Sequence, residues 1–159
     1  MMKRTQVLQD ISTRFKQDIL NVFDKSKKRV YIDIRPEALV SIARYIFEVL
    51  GARFNIASGV DTRQFMEILY HFTFEDINLL LSLRVKLNRT KPVIESLTSL
   101  CEAANWIERE MHELLGIQFK GHPELKRLLL PDSWPKGVYP LRADYKEWDK
   151  TAIRDRGVK

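Results

Sequence analysis

Four of the chain's six prolines stand at positions 123, 131, 135 and 140. Each removes a backbone donor and fixes φ, so nothing after Ile117 can fold as one continuous helix or as a central strand. The same stretch nevertheless holds Phe119, Trp134, Tyr139, Tyr145, Trp148 and the run Leu128-Leu129-Leu130, which is too apolar for a solvated disordered tail. Burying such side chains is worth roughly 1.5 to 3 kcal/mol each, and that requires a surface. Residues 117–159 are therefore expected to form an extended arm, lying along the chain's own preceding helix and on a partner chain. Its aromatic and arginine side chains are the usual anchors of protein interfaces.

That preceding helix is legible as a seam. Leu97, Leu100, Ala104, Ile107, Met111 and Leu114 recur at intervals of three and four residues, which predicts a helix over 96–115. Ser96 is its expected N-cap and Gly116 its stop. At about 100° per residue, Trp106, Glu110 and Glu113 point away from the seam and Arg109 flanks it. A tryptophan opposite a buried stripe calls for a cover, either the returning arm or another subunit.

Upstream, Val7, Leu8, Ile11, Phe15 and Ile19 predict an amphipathic helix over 4–23, ending near the Lys25–Arg29 basic run. Val30, Ile32 and Ile34 alternate with Tyr31 and Asp33 as in a strand. Pro36 then opens a helix over 37–50, closed by Gly51. Further strands are expected over 53–58, 64–73 and 77–87. This order, α-β-α-β-β-β, predicts an α+β two-layer domain with a mixed sheet over residues 1–92, followed by the helix within 93–116 and the arm over 117–159. No internal repeat appears.

The formal charge of +6 is unevenly distributed. Residues 1–35 carry nine Lys/Arg against four Asp/Glu and residues 117–159 ten against six, whereas 93–116 carry one against five. A solvated surface, or basic arms meeting an acidic partner, explains this better than nucleic acid, because no RNP-type or zinc-finger motif accompanies the charge. No apolar stretch reaches the roughly 20 residues of a membrane helix. The opening Met-Met-Lys-Arg lacks the apolar block of a secretion signal, which points to a cytoplasmic protein.

Catalytic readings fare poorly. His112-Glu113 starts like an HExxH zinc element, but Gly116 occupies the place of the second histidine. A metal hydrolase would need His71 and His122 to converge with it. Glu108 and His112, four residues apart, are expected as hydrogen-bond partners, and His122 as a turn residue whose ring bonds to backbone. Cys101, the single cysteine, can hold neither a disulfide nor an iron–sulfur cluster and is expected as a small buried apolar group. The scattered glycines form no phosphate loop.

Taken together, Glu108-Arg109-Glu110, Gly116-Ile117, Phe119, Gly121-His122-Pro123, Leu125, Arg127, Trp134, Pro140-Leu141-Arg142 and Asp144 resemble the signature of the thirty-kilodalton subunit of complex I. Complex I is the NADH:quinone oxidoreductase, and the relatives of this subunit include its counterpart in energy-converting membrane-bound nickel–iron hydrogenases. The chain departs from that signature at Glu113, where Asp is usual, at His112 beside it, and at Ala143, where Lys is usual. The resemblance implies a non-catalytic subunit of a peripheral arm on the cytoplasmic side of the cell membrane, reaching the membrane only through its complex. It implies docking on the large subunit that is similar to the nickel–iron hydrogenase chain, near small iron–sulfur subunits. Cofactors are then expected in those partners, as iron–sulfur clusters and nickel–iron, and none in this chain. Length and basic composition favour a hydrogenase or a related ferredoxin-linked complex; the alternatives are respiratory NADH:quinone oxidoreductase and a basic nucleic-acid-binding module. The expected interface residues are Trp106, Glu108, Arg109, Glu110, Phe119, His122, Pro123, Arg127, Trp134, Leu141, Arg142 and Asp144. Arg109 and Arg142 are expected to pair with carboxylates, either in cis on Glu108, Glu110 or Asp144, or on the partner.

Overall fold

Alternation along the strands builds one buried and one open sheet face. In the computed structural model, which describes residues 3–146, Met66, Ile68, Tyr70, Phe72 and Phe74 of β4 (Phe65–Phe74) are buried, while the residues between them are half-exposed. β5 (Leu79–Asn88) buries Leu79, Leu81, Leu83, Val85 and Leu87 in the same way, and Ser82 between them is buried as well. Trp148 and the rest of the chain beyond 146 lie outside the described residues, as do Met1 and Met2.

The element order is α1 (Arg4–Arg14), β1 (Ile19–Ser26), β2 (Arg29–Ile34), a helical segment, β3 (Arg53–Asp61), β4, β5, β6 (Val93–Glu95), α3 (Ala104–Leu115) and β7 (Gln118–Lys120). The helical segment opens with a 3-10 turn at Pro36–Ala38, continues as α2 (Leu39–Arg44) and ends in a π-helical turn, Tyr45–Val49. Five strands form a mixed sheet in the order β1-β2-β5-β4-β3, with β2 and β5 parallel and the other pairs antiparallel. Val7 and Ile11 of α1, Leu39, Ile42 and Ala43 of α2, and Met111 and Leu115 of α3 join the inward strand residues in a single core. The fold is thus the expected α+β arrangement. On the open face, Arg84 grips Asp33 of the neighbouring strand with two bonds, at 2.7 and 2.9 Å. His71 bonds the buried Ser82 hydroxyl at 2.7 Å, and burial lowers its pKa.

Two expectations need correction. The first helix stops at Arg14, and residues 19–26 are a strand. Ile19 does continue the four-residue step from Ile11 and Phe15, but pairing with β2 from Ile19↔Ile34 to Ser26↔Arg29 overrides it, and the basic run is the hairpin turn. The third helix begins at Ala104, and Ser96 is not its cap. Residues 97–103, which precede the helix, are closed by short turns, including Leu100 N–H to Leu97 O and Ala104 N–H to Cys101 O. Within the arm, β7 pairs in parallel with β6 as a separate two-stranded sheet.

Gly59 sets how closely α3 approaches β3. A Cβ there would lie 2.5 Å from Leu115 Cδ1 and 3.1 Å from Met111 Sδ. Gly59→Val is expected to cost roughly 1 to 3 kcal/mol through overpacking, with part of the loss restored by Leu115→Ala. Denaturant unfolding of the single and double variants checks this; an unchanged midpoint for Gly59→Val would mean α3 is free to move away from the sheet.

Candidate functional site

Helix α3 presents two buried carboxylates to opposite sides. Glu108 lies in the core stripe Ala104–Glu108–Met111–Leu115, one position round from the apolar seam that the sequence suggests, and is fully buried. It accepts the Ser96 hydroxyl at 2.6 Å and the Leu97 N–H at 2.7 Å, which ties the segment before α3 to the middle of the helix. Burial pushes its pKa up to about 7, against the opposing pull of those two donors. The Tyr70 hydroxyl, within its electrostatic reach and fully buried, has no hydrogen-bond partner among the described residues.

Glu113 is buried on the other side, beneath the arm. It accepts three consecutive amides, Leu128 at 3.1 Å, Leu129 at 2.7 Å and Leu130 at 2.8 Å. Burial alone would raise its pKa, but the three amides and the Arg127 charge outweigh it and hold the carboxyl below its ordinary range. Two glutamates five residues apart on one helix are thus shifted in opposite directions, because one has mostly apolar surroundings and the other a nest of donors.

The arginines complete the attachment from the main-chain side. Arg109 donates to the carbonyls of Lys126 at 3.1 Å and Arg127 at 2.7 Å. Arg127 folds over the next turn, donating to Pro131 O at 2.6 Å, Asp132 O at 3.2 Å and Trp134 O at 2.6 Å. Arg142 donates to Leu115 O at 2.8 Å at the end of α3 and lies over the Tyr139 ring, 4.6 Å from its centre. Carboxylate pairing of Arg109 and Arg142 in cis is therefore corrected: both guanidinium groups hold carbonyl oxygens, including those that a helix end leaves without partners.

The remaining expected residues divide between core, arm and surface. Phe119 is buried in β7 and Glu108 in the core, so neither is available to a partner in this conformation. His122 bonds Asn105 O through Nε2 at 3.1 Å and accepts the Glu124 N–H on Nδ1 at 3.0 Å, a backbone role as expected. His112 bonds Ile117 O at 2.8 Å, which corrects its expected pairing with Glu108. Trp134 donates to Val138 O at 2.9 Å and stacks on Tyr145. Pro123 is exposed. Cys101 is half-buried at the margin of the core. Trp106 is 69% exposed and Leu141 58%, so the arm does not cover the tryptophan. Glu110 lies one turn beyond Trp106, and with Ile56, Ile107, Leu114 and Leu141 it lines a groove of about 200 Å³ between β3 and α3.

A second fastening went unread in the sequence. Asp61, nearly inaccessible at the end of β3, takes both arms of Arg89 at 2.8 Å each, together with the N–H groups of Arg63 at 2.8 Å and Ala143 at 2.9 Å. Asp144 adds a 2.9 Å contact to Arg89. The Arg89 fork above all, then the Ala143 and Arg63 amides, hold the Asp61 carboxyl far below the usual carboxylate range despite burial. Its partners lie 28 and 82 residues away, and the only local signals are an acid at a strand end and an arginine beside a boundary. Gly116 is needed at the crossing: its φ is +77°, and a Cβ would lie 2.6 Å from the Tyr139 ring.

Among the described residues, no three or more His, Cys, Asp or Glu side chains are grouped to hold a metal ion, and no helix is long and apolar enough to cross a membrane.

The model of the family described as "Respiratory-chain NADH dehydrogenase, 30 Kd subunit" matches residues 32–151. The corresponding subunit of the F(420)H(2) dehydrogenase of Methanosarcina mazei is 46% identical over 100 residues, covering 62% of this chain and 63% of that protein. Its counterpart in the NADH-quinone oxidoreductase of Roseiflexus sp. is 36% identical over 117 residues, covering 70% and 66%. The chain thus spans just under two-thirds of the length of these relatives. A chain from the structure of the membrane-bound sulfane sulfur reductase, an archaeal respiratory membrane complex, superposes with a TM-score of 0.81 at 18% identity, covering 98% of this chain and 95% of that one. The trypsin-resistant fragment (1-134) of Nqo5 superposes with a TM-score of 0.61 at 22% identity, covering 76% and 98%.

Two outcomes follow from the carboxylates. Glu113→Ala is expected to release the arm, so that trypsin cuts at Lys126, Arg127 and Lys136 while the sheet stays intact; unchanged resistance would contradict the clamp. For Glu108, a folded pKa above the unfolded value of about 4.3 means that the unfolded chain binds fewer protons between those values, so stability falls as pH rises towards 7. Glu108→Gln is expected to match the natural chain near pH 4 and to exceed its stability by roughly 1 to 3 kcal/mol at pH 8, measured by urea unfolding at both values.

Proposed function

Because the chain belongs to the family of the 30 Kd subunit of the respiratory-chain NADH dehydrogenase, we propose that it acts as a non-catalytic structural subunit in the peripheral arm of a complex I-like membrane oxidoreductase. In this reading it docks on the large subunit similar to the nickel–iron hydrogenase chain. The observation that carries the proposal is how the charged groups of α3 and the arm are used. Glu108, Glu113, Arg109, Arg127 and Arg142 all hold backbone groups, and Glu108 also holds a hydroxyl. Catalysis by acid and base needs such groups to face a substrate; here they fix the shape of a surface.

That surface is the outer side of α3 with the adjoining β3 edge and arm. Trp106, Ile56, Leu141 and Leu129 are large, apolar and exposed by half or more. An exposed tryptophan on a rigid helix beside an apolar groove is the kind of anchor that dominates association. The redox groups belong to neighbouring chains in this proposal: iron–sulfur clusters in small subunits and, in the hydrogenase branch, nickel–iron in the large one. A single cysteine fits that division, since clusters normally take about four thiolates. The protein sits peripherally on the cytoplasmic side and meets the membrane through its complex.

One observation favours a second branch within this reading. The 46% identity to a protein of an F(420)H(2) dehydrogenase supports a complex that oxidises F(420)H(2), alongside the hydrogenase or ferredoxin-linked alternative and the respiratory NADH:quinone one.

Trp106→Asp is expected to weaken assembly by about 2 kcal/mol or more, a fall of roughly thirtyfold in affinity, with turnover per assembled complex unchanged. Arg127→Ala is expected to act in the same direction by loosening the arm. Native electrophoresis and activity normalised to assembled complex check both. Normal assembly with abolished turnover would place this segment in the chemistry and overturn the scaffold.

A further inference from the structure

At the sheet edge opposite α3, every residue of β1 from Leu20 to Ser26 is exposed, although the segment is a hydrogen-bonded strand. β1 ends the strand order, so its outer row of backbone donors and acceptors faces away from the sheet. Leu20, Val22 and Phe23 are 59%, 41% and 53% exposed. They flank the strand on both sides: Val22 lies opposite the buried Ile32, and Phe23 lies opposite Tyr31, whose ring is 6.3 Å away on the open face.

Proteins blunt such edges with lysines and bulges, and β1 has register shifts at Ile19/Asn21 and Asp24/Ser26. A blunted edge, however, gains nothing from three large apolar side chains. The bulges leave Asn21–Asp24 as the regular stretch, and the apolar groups stand in or next to it.

Charge identifies the complement. Lys25, Lys27, Lys28 and Arg29 at the hairpin are exposed and form no ion pair with another described residue. The nearby acids are already engaged, Asp24 by Arg4 and Asp33 by Arg84. The hairpin therefore offers an apolar strand edge beside an uncompensated cationic tip. It also lies before residue 32, outside the stretch that the family model matches, yet the fold shared with the sulfane sulfur reductase chain covers 98% of this chain.

We propose that β1 is a second docking edge, on which an extended, acidic segment of another subunit adds as a sixth strand beside Asn21–Asp24, with its carboxylates against Lys25, Lys27 and Lys28. This rests on the reading of the chain as a member of an assembly, but uses a surface separate from the Trp106 face. Strand addition supplies main-chain hydrogen bonds, the flanking apolar groups supply register, and the lysines select acidic sequence.

The test is amide hydrogen exchange of the full chain alone and in the purified complex, with the K25E/K27E/K28E variant and a photocrosslinker at Val22. Exchange over 20–24 is expected to slow about tenfold or more on assembly. The triple variant is expected to return that stretch to its isolated rate while protection around Trp106 persists, and the crosslink to join a peptide rich in Asp and Glu. Equal exchange of β1 in both states, with Trp106 protected, would overturn this proposal and leave the scaffold reading standing. A crosslink to phospholipid would likewise overturn it in favour of a bilayer contact. Loss of protection at both surfaces would instead defeat the scaffold reading on which it rests.

Discussion

The attachment of residues 117–146 to α3 depends on one carboxylate accepting three successive amides. Glu113 meets Leu128, Leu129 and Leu130 where a proline-rich chain cannot pair its own backbone. Unmade bonds there would leave donors stranded under a half-buried run of leucines. Arg109, one turn earlier, holds the carbonyls just before those amides, so donors and acceptors of the same short stretch are fixed from a single helix face. From that point the arm's geometry propagates: Arg127 sets the next turn, Leu141 and Arg142 return to the end of α3, and Asp61 receives Ala143 at the far edge of the sheet.

This explains how a segment without helix or long strand can be rigid enough to shape a surface. It also explains why so many charged residues crowd this region: they hold backbone groups. Glu113, Arg109, Arg127 and Arg142 face main-chain groups, and the apolar groups left outside, Trp106 and Leu141, are displayed on a fixed frame. A pre-organised surface loses less entropy on association than a flexible tail that must order as it binds. The arm's attachment to α3 thus runs through Glu113 and Arg109.

Much of the fold was legible because alternation and spacing are local. Val30, Ile32 and Ile34, and the inward residues of β4 and β5, follow the period-two rule, whereas a bulge between Phe54 and Ile56 breaks it in β3; Gly51 and Gly116 end their helices in the left-handed conformation expected of them. What failed was non-local. Ile19 looks helical until β2 is known to lie beside it. Glu108 looks like surface because a carboxylate in the core needs Ser96 and Leu97, twelve and eleven residues away, to be tolerable. Arg109 and Arg142 carry charge, which suggests carboxylate partners; their carbonyl partners leave no mark in residue type. Of the residues expected at an interface, Trp106 and Leu141 stand exposed, while Phe119 is part of the core.

The most direct measurement of the arm's attachment in cis is amide exchange at Leu128, Leu129, Leu130 and Leu141 in the isolated chain at neutral pH. If Glu113 and the end of α3 hold the arm without a partner, these amides exchange at rates close to those of the last turn of α3, far below unstructured values. Exchange at unstructured rates while α3 itself is protected would mean that the arm is ordered by its partner and that the clamp described above is not what fixes it.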